Sequence, residues 1–249
     1  DWSSDVCSSD LGQIKGVVTN HDLMILQGTS PLSLARDIET KQSIAKIIDP
    51  AKKMHGMITL LLKEGAKASN ITRVVTEIND RLVRKIIQIA ERELGKPPVS
   101  YCWITFGSEG RKEQTFKTDQ DNALIYEDTT APEAAREYFS RFAEFVNDAL
   151  MQCGFPECTG GYMARNQRWC QPLGTWKEYF SGWISAPTTE AVLQSVILFD
   201  FRPVAGNLAL GEILKAHLLH AVQNQGIFLK HMSELAVGIR PPLGFFKTF

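Results

Sequence analysis

FGSEGRKEQTFKTDQDNALIY, residues 106 to 126, decides how the rest of the chain is read. One apolar run, VSYCWITF, ends at Phe106, and a second, NALIY, ends at Tyr126. Both are short and rich in β-branched and aromatic residues, so both are expected as buried strands. Between them stand a Gly-Ser pair, an Arg with a Glu on either side, and two Asp one residue apart. Side chains alternate along a strand. Asp119 and Asp121 therefore share one face, and Gln120 and Asn122 take the other. Two carboxylates on one face repel unless a cation lies between them. Mg²⁺ is commonly held by one or two carboxylates plus substrate phosphates. Gly107 allows a phosphate to approach the backbone closely, and the amides that follow can donate to it. The competing reading is a surface loop that carries its charges for solubility.

Strand, Gly-Ser, a gap of ten residues and Asp-x-Asp resemble the DNA polymerase β-like nucleotidyltransferase superfamily. The longer string GSEGRKEQTFKTDQDNALIY looks like the DUF294 nucleotidyltransferase family. That family is related to the N-terminal domain of PII-protein uridylyltransferase, where Gly-x-Gly-Arg-x-Glu precedes Ser-Asp-x-Asp. Gly107, Gly110, Arg111, Glu113, Asp119 and Asp121 fit the pattern, with Thr118 in place of Ser. The resemblance implies that Asp119 and Asp121 are catalytic and bind Mg²⁺, and that Gly107, Ser108, Gly110, Arg111 and Glu113 form the nucleotide-binding turn. Arg111 would contact a phosphate with Glu113 orienting it, or the two would form a structural ion pair. The superfamily also implies a third carboxylate from a later strand. Glu127 and Asp128 read as solvated loop residues. Asp200, an acid inside the apolar run VILFDFRPVAG and followed by Arg202, is the candidate, unless it belongs to a C-terminal helical subdomain.

Upstream, residues 30–95 have helical periodicity and read as a connector packed on the next domain. Ser30 with Pro31, and Asp49 with Pro50, are expected to open helices, and Gly65 to stop the second. Ile71, Val74, Val75, Ile78, Leu82, Ile86 and Ile89 form an apolar stripe ending before Gly95. Further back, residues 12–29 include GVVTNHDL, which resembles the closing strand and helix of a CBS repeat. In that family a Thr and an Asp three residues later hold the ribose of an adenine nucleotide, and Thr19 and Asp22 fit those places. Most of that module is missing, so no working pocket is expected here. DUF294 proteins commonly carry CBS repeats upstream, which agrees with this order. Residues 1–11, DWSSDVCSSDL, are unlike anything that follows and read as a translated sequencing adapter, expected to take no part in the fold.

Downstream, residues 96–186 are expected to form the nucleotidyltransferase-like domain and residues 187–249 a C-terminal helical domain. Both ends of the chain are expected to be truncated. Asn166, Arg168 and Trp169 either touch a nucleotide or belong to a packed Trp-rich region with Trp176 and Trp183. His217 and His220 lie three apart on a helix without an acid ligand and read as helix surface.

Composition narrows the function classes. The chain has 249 residues, 44% hydrophobic, and a formal net charge of −1. That balance argues against a general nucleic-acid binder. No apolar run is long enough to span a membrane. Five Cys show no disulfide framework, which points to a reducing cytoplasm. Cys153 and Cys158 lack a His partner for zinc and read as buried thiols. The expected fold is α/β, a small mixed sheet of the polymerase β-like type between an N-terminal helical connector and a C-terminal helical bundle. The expected function is Mg²⁺-dependent nucleotidyl transfer from an NTP to a protein or small-molecule acceptor. A PII-like acceptor and CBS-gated regulation by an adenine nucleotide follow from kinship. The alternative is a non-catalytic module that binds a nucleotide in the same cleft.

Overall fold

The computed structural model of the chain describes Asp5–Ser8 and Ile14–Val18 as strands, and residues 30–114 and 119–238 in full. β1 (Asp5–Ser8) pairs antiparallel with β2 (Ile14–Val18), placing Asp5 opposite Val18 and Val6 opposite Val17. Residues 5–8 of the 1–11 stretch thus form a local two-stranded ladder with Ile14–Val18. Thr19 and Asp22 lie outside the described residues, as do residues 239–249.

Three helices follow. α1 (Pro31–Thr40) opens as expected, with the Ser30 side chain accepting from the Ser33 N–H at 3.1 Å and Pro31 at the first position. α2 (Ile44–Lys63) does not start at Asp49. It begins six residues before Pro50, which sits inside the helix. The ring removes one backbone hydrogen bond, yet Ile47 and Ala51 on either side are buried, and that packing carries the helix through. Asp49 pairs with Lys53 at 2.9 Å instead of capping. Gly65 closes the turn after α2 with φ +73°. α3 (Ala68–Leu94) buries the expected stripe, including Ile71, Val75, Ile78, Leu82, Ile86 and Ile89, and stops at Gly95 with φ +87°.

The α/β centre is a four-stranded mixed sheet flanked by helices. β3 (Tyr101–Thr105) is followed by the single turn α4 (Gly107–Gly110), then β4 (Asn122–Tyr126) and α5 (Pro132–Gln152). β5 (Cys170–Pro172) leads directly into α6 (Leu173–Ser185), then α7 (Thr189–Leu198). β6 (Arg202–Gly206), α8 (Leu208–Ala221) and α9 (Gly226–Gly238) complete the described chain. The strand order is β5-β4-β3-β6, with only β4 and β5 parallel. The segment expected as a C-terminal helical domain thus supplies an edge strand to the central sheet.

Alternation along the strands divides the core in two. Tyr101, Trp103, Leu124, Tyr126 and Val204 pack on one face against α1, α2, α3 and α5. Cys102, Ile104, Ala123 and Ile125 pack on the other against α6, α8 and α9. Burial of large side chains such as Trp103, Phe139 and Trp176 contributes on the order of 2–3 kcal/mol each. Tyr126 stacks on Phe139 at 4.7 Å, fixing α5 over β4.

A buried amide cluster sets the register between α5 and the entry to β4. Asn147 of α5 donates to Gln120 Oε1 at 2.7 Å and to Asn122 Oδ1 at 2.9 Å. Gln120 donates back to the Asn147 and Phe155 carbonyls at 3.2 and 3.1 Å. The Asn122 and Asn147 carbonyl oxygens accept the Ala164 and Arg165 N–H groups. The three side chains are 0–2% exposed, so a missing partner would leave a dry polar group. Asn147→Ala should therefore lower stability by about 2–4 kcal/mol. Urea unfolding measures this, and a loss below about 1 kcal/mol would show that the cluster does not fix the register.

Candidate active site

Gln120 and Asn122 face inward, so Asp119 and Asp121 face outward, as strand alternation requires, although β4 itself begins only at Asn122. The Phe106 N–H donates to the Asp121 carbonyl at 3.2 Å, which ties the end of β3 to the acidic pair. Gly107 then turns with φ +59°, and a β-carbon there would stand 3.1 Å from Asp121 Oδ2. Any other residue would strain the backbone and crowd the carboxylate. Ser108, half-buried, lies next in the same turn.

Asp119 is exposed and Asp121 half-buried. One ligand atom from each, with the Cys158 thiol, forms a group whose members all lie within 4.8 Å of one another. Burial, helped by the charge of Asp119, pushes the Asp121 carboxyl up to about 6, against a hydrogen bond from Cys158 that pulls it down. The charge of Asp119 thus bears on Asp121. Cys158 reaches this place because its loop runs beside the acidic segment: Gln120 N–H donates to the Pro156 carbonyl at 3.1 Å, and Asn122 N–H to the Tyr162 carbonyl at 3.1 Å. The expectation that Cys153 and Cys158 are both buried thiols holds for Cys153; Cys158 is half-buried beside the acids. No spacing in the sequence links position 158 to position 121, and only this non-local pairing brings them together.

α4 is clamped from the far side. A β-carbon on Gly110 would stand 1.9 Å from the Asp200 carbonyl oxygen, so only glycine fits there. Arg111 donates from Nε to Glu113 at 2.9 Å and from Nη1 to Asp200 at 3.1 Å. Asp200 thus stands with Arg111 and Glu113 and is not a member of the Asp119–Asp121–Cys158 group. Beneath the turn, Arg202 grips Asp80 of α3 with two hydrogen bonds of 2.7 and 2.9 Å and donates to the Glu109 carbonyl at 3.3 Å. Arg84 adds a bond to the Val204 carbonyl at 3.0 Å.

Nothing local in the sequence marks Glu109, which stands between Ser108 and Gly110 in a run of charges. It is 8% exposed. Burial, reinforced by Asp80 and by Asp121 and only partly offset by Arg202, pushes its carboxyl up to about 8. The cradle around α4 is rich in negative charge and demands either protons or a cation. Trp169 stacks on Tyr162 at 5.4 Å and donates to the Gly161 carbonyl, with the Arg168 guanidinium 4.8 Å over its ring. Trp169 and Trp176 are packed as the second of the two readings expects, while Asn166 and Arg168 are exposed. His217 shares a hydrogen bond of 2.9 Å with Ser181. Among the described residues no other group of three metal-ligating side chains occurs. Thr118 lies outside the described residues.

The raised carboxyls give a pH signature. A group whose folded value lies above its unfolded one binds more protons when folded, so stability falls as pH rises between the two. For Glu109 that window runs from about 4.5 to about 8. Glu109→Gln should flatten the stability profile of the metal-free protein across this range and be the more stable form at its upper end. Melting temperatures of both proteins at intervals across the window measure this; parallel profiles would refute it.

None of the curated proteins matches this chain. A family model described as "Putative nucleotidyltransferase DUF294" matches residues 52–190, which run from within α2 to the start of α7 and include β3, α4, β4 and β5. The match covers more than half of the 249 residues and contains Gly107, Ser108, Asp119 and Asp121, and on it the chain belongs to the DUF294 nucleotidyltransferase family.

Proposed function

We propose that this chain is a Mg²⁺-dependent nucleotidyltransferase that moves a nucleotidyl group from an NTP to a protein or small-molecule acceptor. The observation that carries the reading is the pair Asp119 and Asp121, held outward by the buried amides and lying against Gly107. The residues present fit a divalent cation: two repelling carboxylates, one with its proton affinity raised, share a small volume. Such an ion, when bound, neutralises phosphate charge and stabilises attacking and leaving oxygens.

The chain's own residues have three tasks. Asp119 and Asp121 supply the oxygen ligands. Gly107 keeps the turn bare so that phosphate oxygens can approach the backbone, Ser108 and the local amides would hold those oxygens, and Gly110 lets the turn pack against the Asp200 carbonyl. Arg111, oriented by Glu113 and Asp200, presents a cation at the rim for the departing pyrophosphate. Kinship favours UTP and a PII-like acceptor in the cytoplasm, with upstream CBS repeats regulating transfer by binding an adenine nucleotide. A non-catalytic nucleotide-binding module is the second reading, favoured by one observation: Asp200, the candidate third acid, is paired with Arg111 outside the group of Asp119 and Asp121.

Two measurements test these readings. Asp121→Asn removes a ligand and a repulsive charge together. The metal-free variant should be as stable as wild type or slightly more so, while the rise in melting temperature given by Mg²⁺ plus NTP disappears. A much less stable metal-free variant, or a shift that survives, would sink the metal reading. Incubation with each labelled NTP, Mg²⁺ and a cell extract should transfer label to an acceptor. Binding without transfer across all four nucleotides would leave the non-catalytic module.

A further inference from the structure

Apolar surface left in water is unevenly spread over this chain. Of the eleven large apolar side chains exposed among the described residues, nine lie in α7, α8 and α9. α9 is the extreme case. Of its thirteen residues only Phe228 is buried, with its ring 6.0 Å from that of Phe199, and Met232 one turn on packs partly against the same core. Side chains three and four apart share a side of a helix. Phe228 and Met232 mark the inner side of α9. Ile227, Lys230, Glu234 and Val237, spaced three, four and three, take the outer side. Ile227 is 71% and Val237 83% exposed.

We propose that the outer side of α9 pairs with the same side of α9 in a second copy of this chain, antiparallel about a twofold axis at the level of Met232. Charge decides the direction. A twofold pair of parallel helices would set Lys230 against Lys230 and Glu234 against Glu234. Turning the second helix round places Ile227 against Val237 of the second copy and Lys230 against its Glu234, and symmetry makes each contact twice. Apolar groups then lie at both ends of the seam and opposite charges in its middle. Within one chain Lys230 and Glu234 stand 3.7 Å apart, their side chains 73 and 59% exposed, a pair that water screens and that stabilises little. Both groups are thus available to a partner, where opposite charges fix register and like charges exclude the wrong one.

Area sets the strength. Thirteen helical residues make a seam about 20 Å long, which is short for a stable interface of about 1,200 Å² or more. α7, the helix that α9 packs against, adds Leu193 and Val196 to the exposed apolar surface. The dimer is therefore a weak one, with a dissociation constant on the order of micromolar. The contact uses none of the residues around α4, so it holds or fails independently of the nucleotidyl-transfer reading.

Sedimentation velocity over a range of protein concentrations tests the pairing. Wild type should pass from monomer to dimer as concentration rises. Ile227→Glu and Val237→Glu, both at exposed positions, should stay monomeric where wild type is half dimeric, and should keep its melting temperature at concentrations where all three are monomers. Lys230→Glu and Glu234→Lys should each weaken self-association by roughly tenfold or more, because like charges then meet at both central contacts. Mixed together, these two variants should form a dimer of one copy of each, since every central contact again joins opposite signs. Both variants lack the Lys230–Glu234 pair within the helix, so recovery on mixing reports contact between chains alone. Wild type that stays monomeric throughout, assembly that runs beyond the dimer, a dimer that survives Ile227→Glu and Val237→Glu, or a mixture that associates no better than its parts would overturn the proposal.

Discussion

The arrangement at the mouth of β4 depends on one buried side chain. Asn147 reaches from α5 and satisfies Gln120 and Asn122 together, with its own carbonyl oxygen taking the Arg165 N–H. Hydrogen bonds in a dry core are strong because every unpaired alternative is costly. Slipping the acidic segment by one residue would bury Asp119 and Asp121 and expose the amides. The network is therefore what holds two like charges on the same side, against their own repulsion. The loop that carries Cys158 is tied into it through the Pro156 and Tyr162 carbonyls and the Ala164 N–H. One helix residue thus positions both the acids and the thiol.

Most of the fold was legible in the sequence where local chemistry and burial agree. Ser30 and Pro31 opened α1, the stripe of α3 packed as written, and the two apolar runs around the Gly-Ser turn became neighbouring antiparallel strands. Where the two disagree, packing wins. Asp49 and Pro50 look like a helix start, but Ile47 is fully buried one turn earlier and extends α2 past them. β6 was only partly legible: the apolar run VILFDFRPVAG reads as a later strand holding Asp200, but the strand is Arg202–Gly206 and Asp200 lies before it. RPVAG is short and contains a proline, which suits an edge strand and nothing more central. Its place on the sheet comes from the pairing with β3, which sequence patterning does not encode.

At the site, the outward pair Asp119 and Asp121 could be read from alternation alone. Glu109 could not, because its burial comes from β6 and α3 closing beneath α4, both distant in sequence. Nor could the partner of Arg111: Glu113 is local, but Asp200 arrives from 89 residues away. Long-range contacts of this kind decide which acids are free to meet a cation and which are already neutralised.

Charge bookkeeping across the turn explains why the cradle is poised and not collapsed. Arg111 answers Glu113 and Asp200 at the rim, and Arg202 answers Asp80 below. Each of those cations is engaged. Around Glu109 and Asp121, Arg202 offsets only part of the charge on Glu109 and Asp119 adds to that on Asp121, and both Glu109 and Asp121 respond by holding protons more tightly. A folded protein tolerates such an excess only where the surrounding packing over-determines it. Here the Asp80–Arg202 pair and the Gly110–Asp200 contact lock α4 from below, while the amides of Gln120, Asn122 and Asn147 lock β4 from behind. α3 belongs to the helical segment that precedes the sheet, and through Asp80 it carries part of that lock. The helices before the sheet are thus part of the device that holds this negative charge in place around α4.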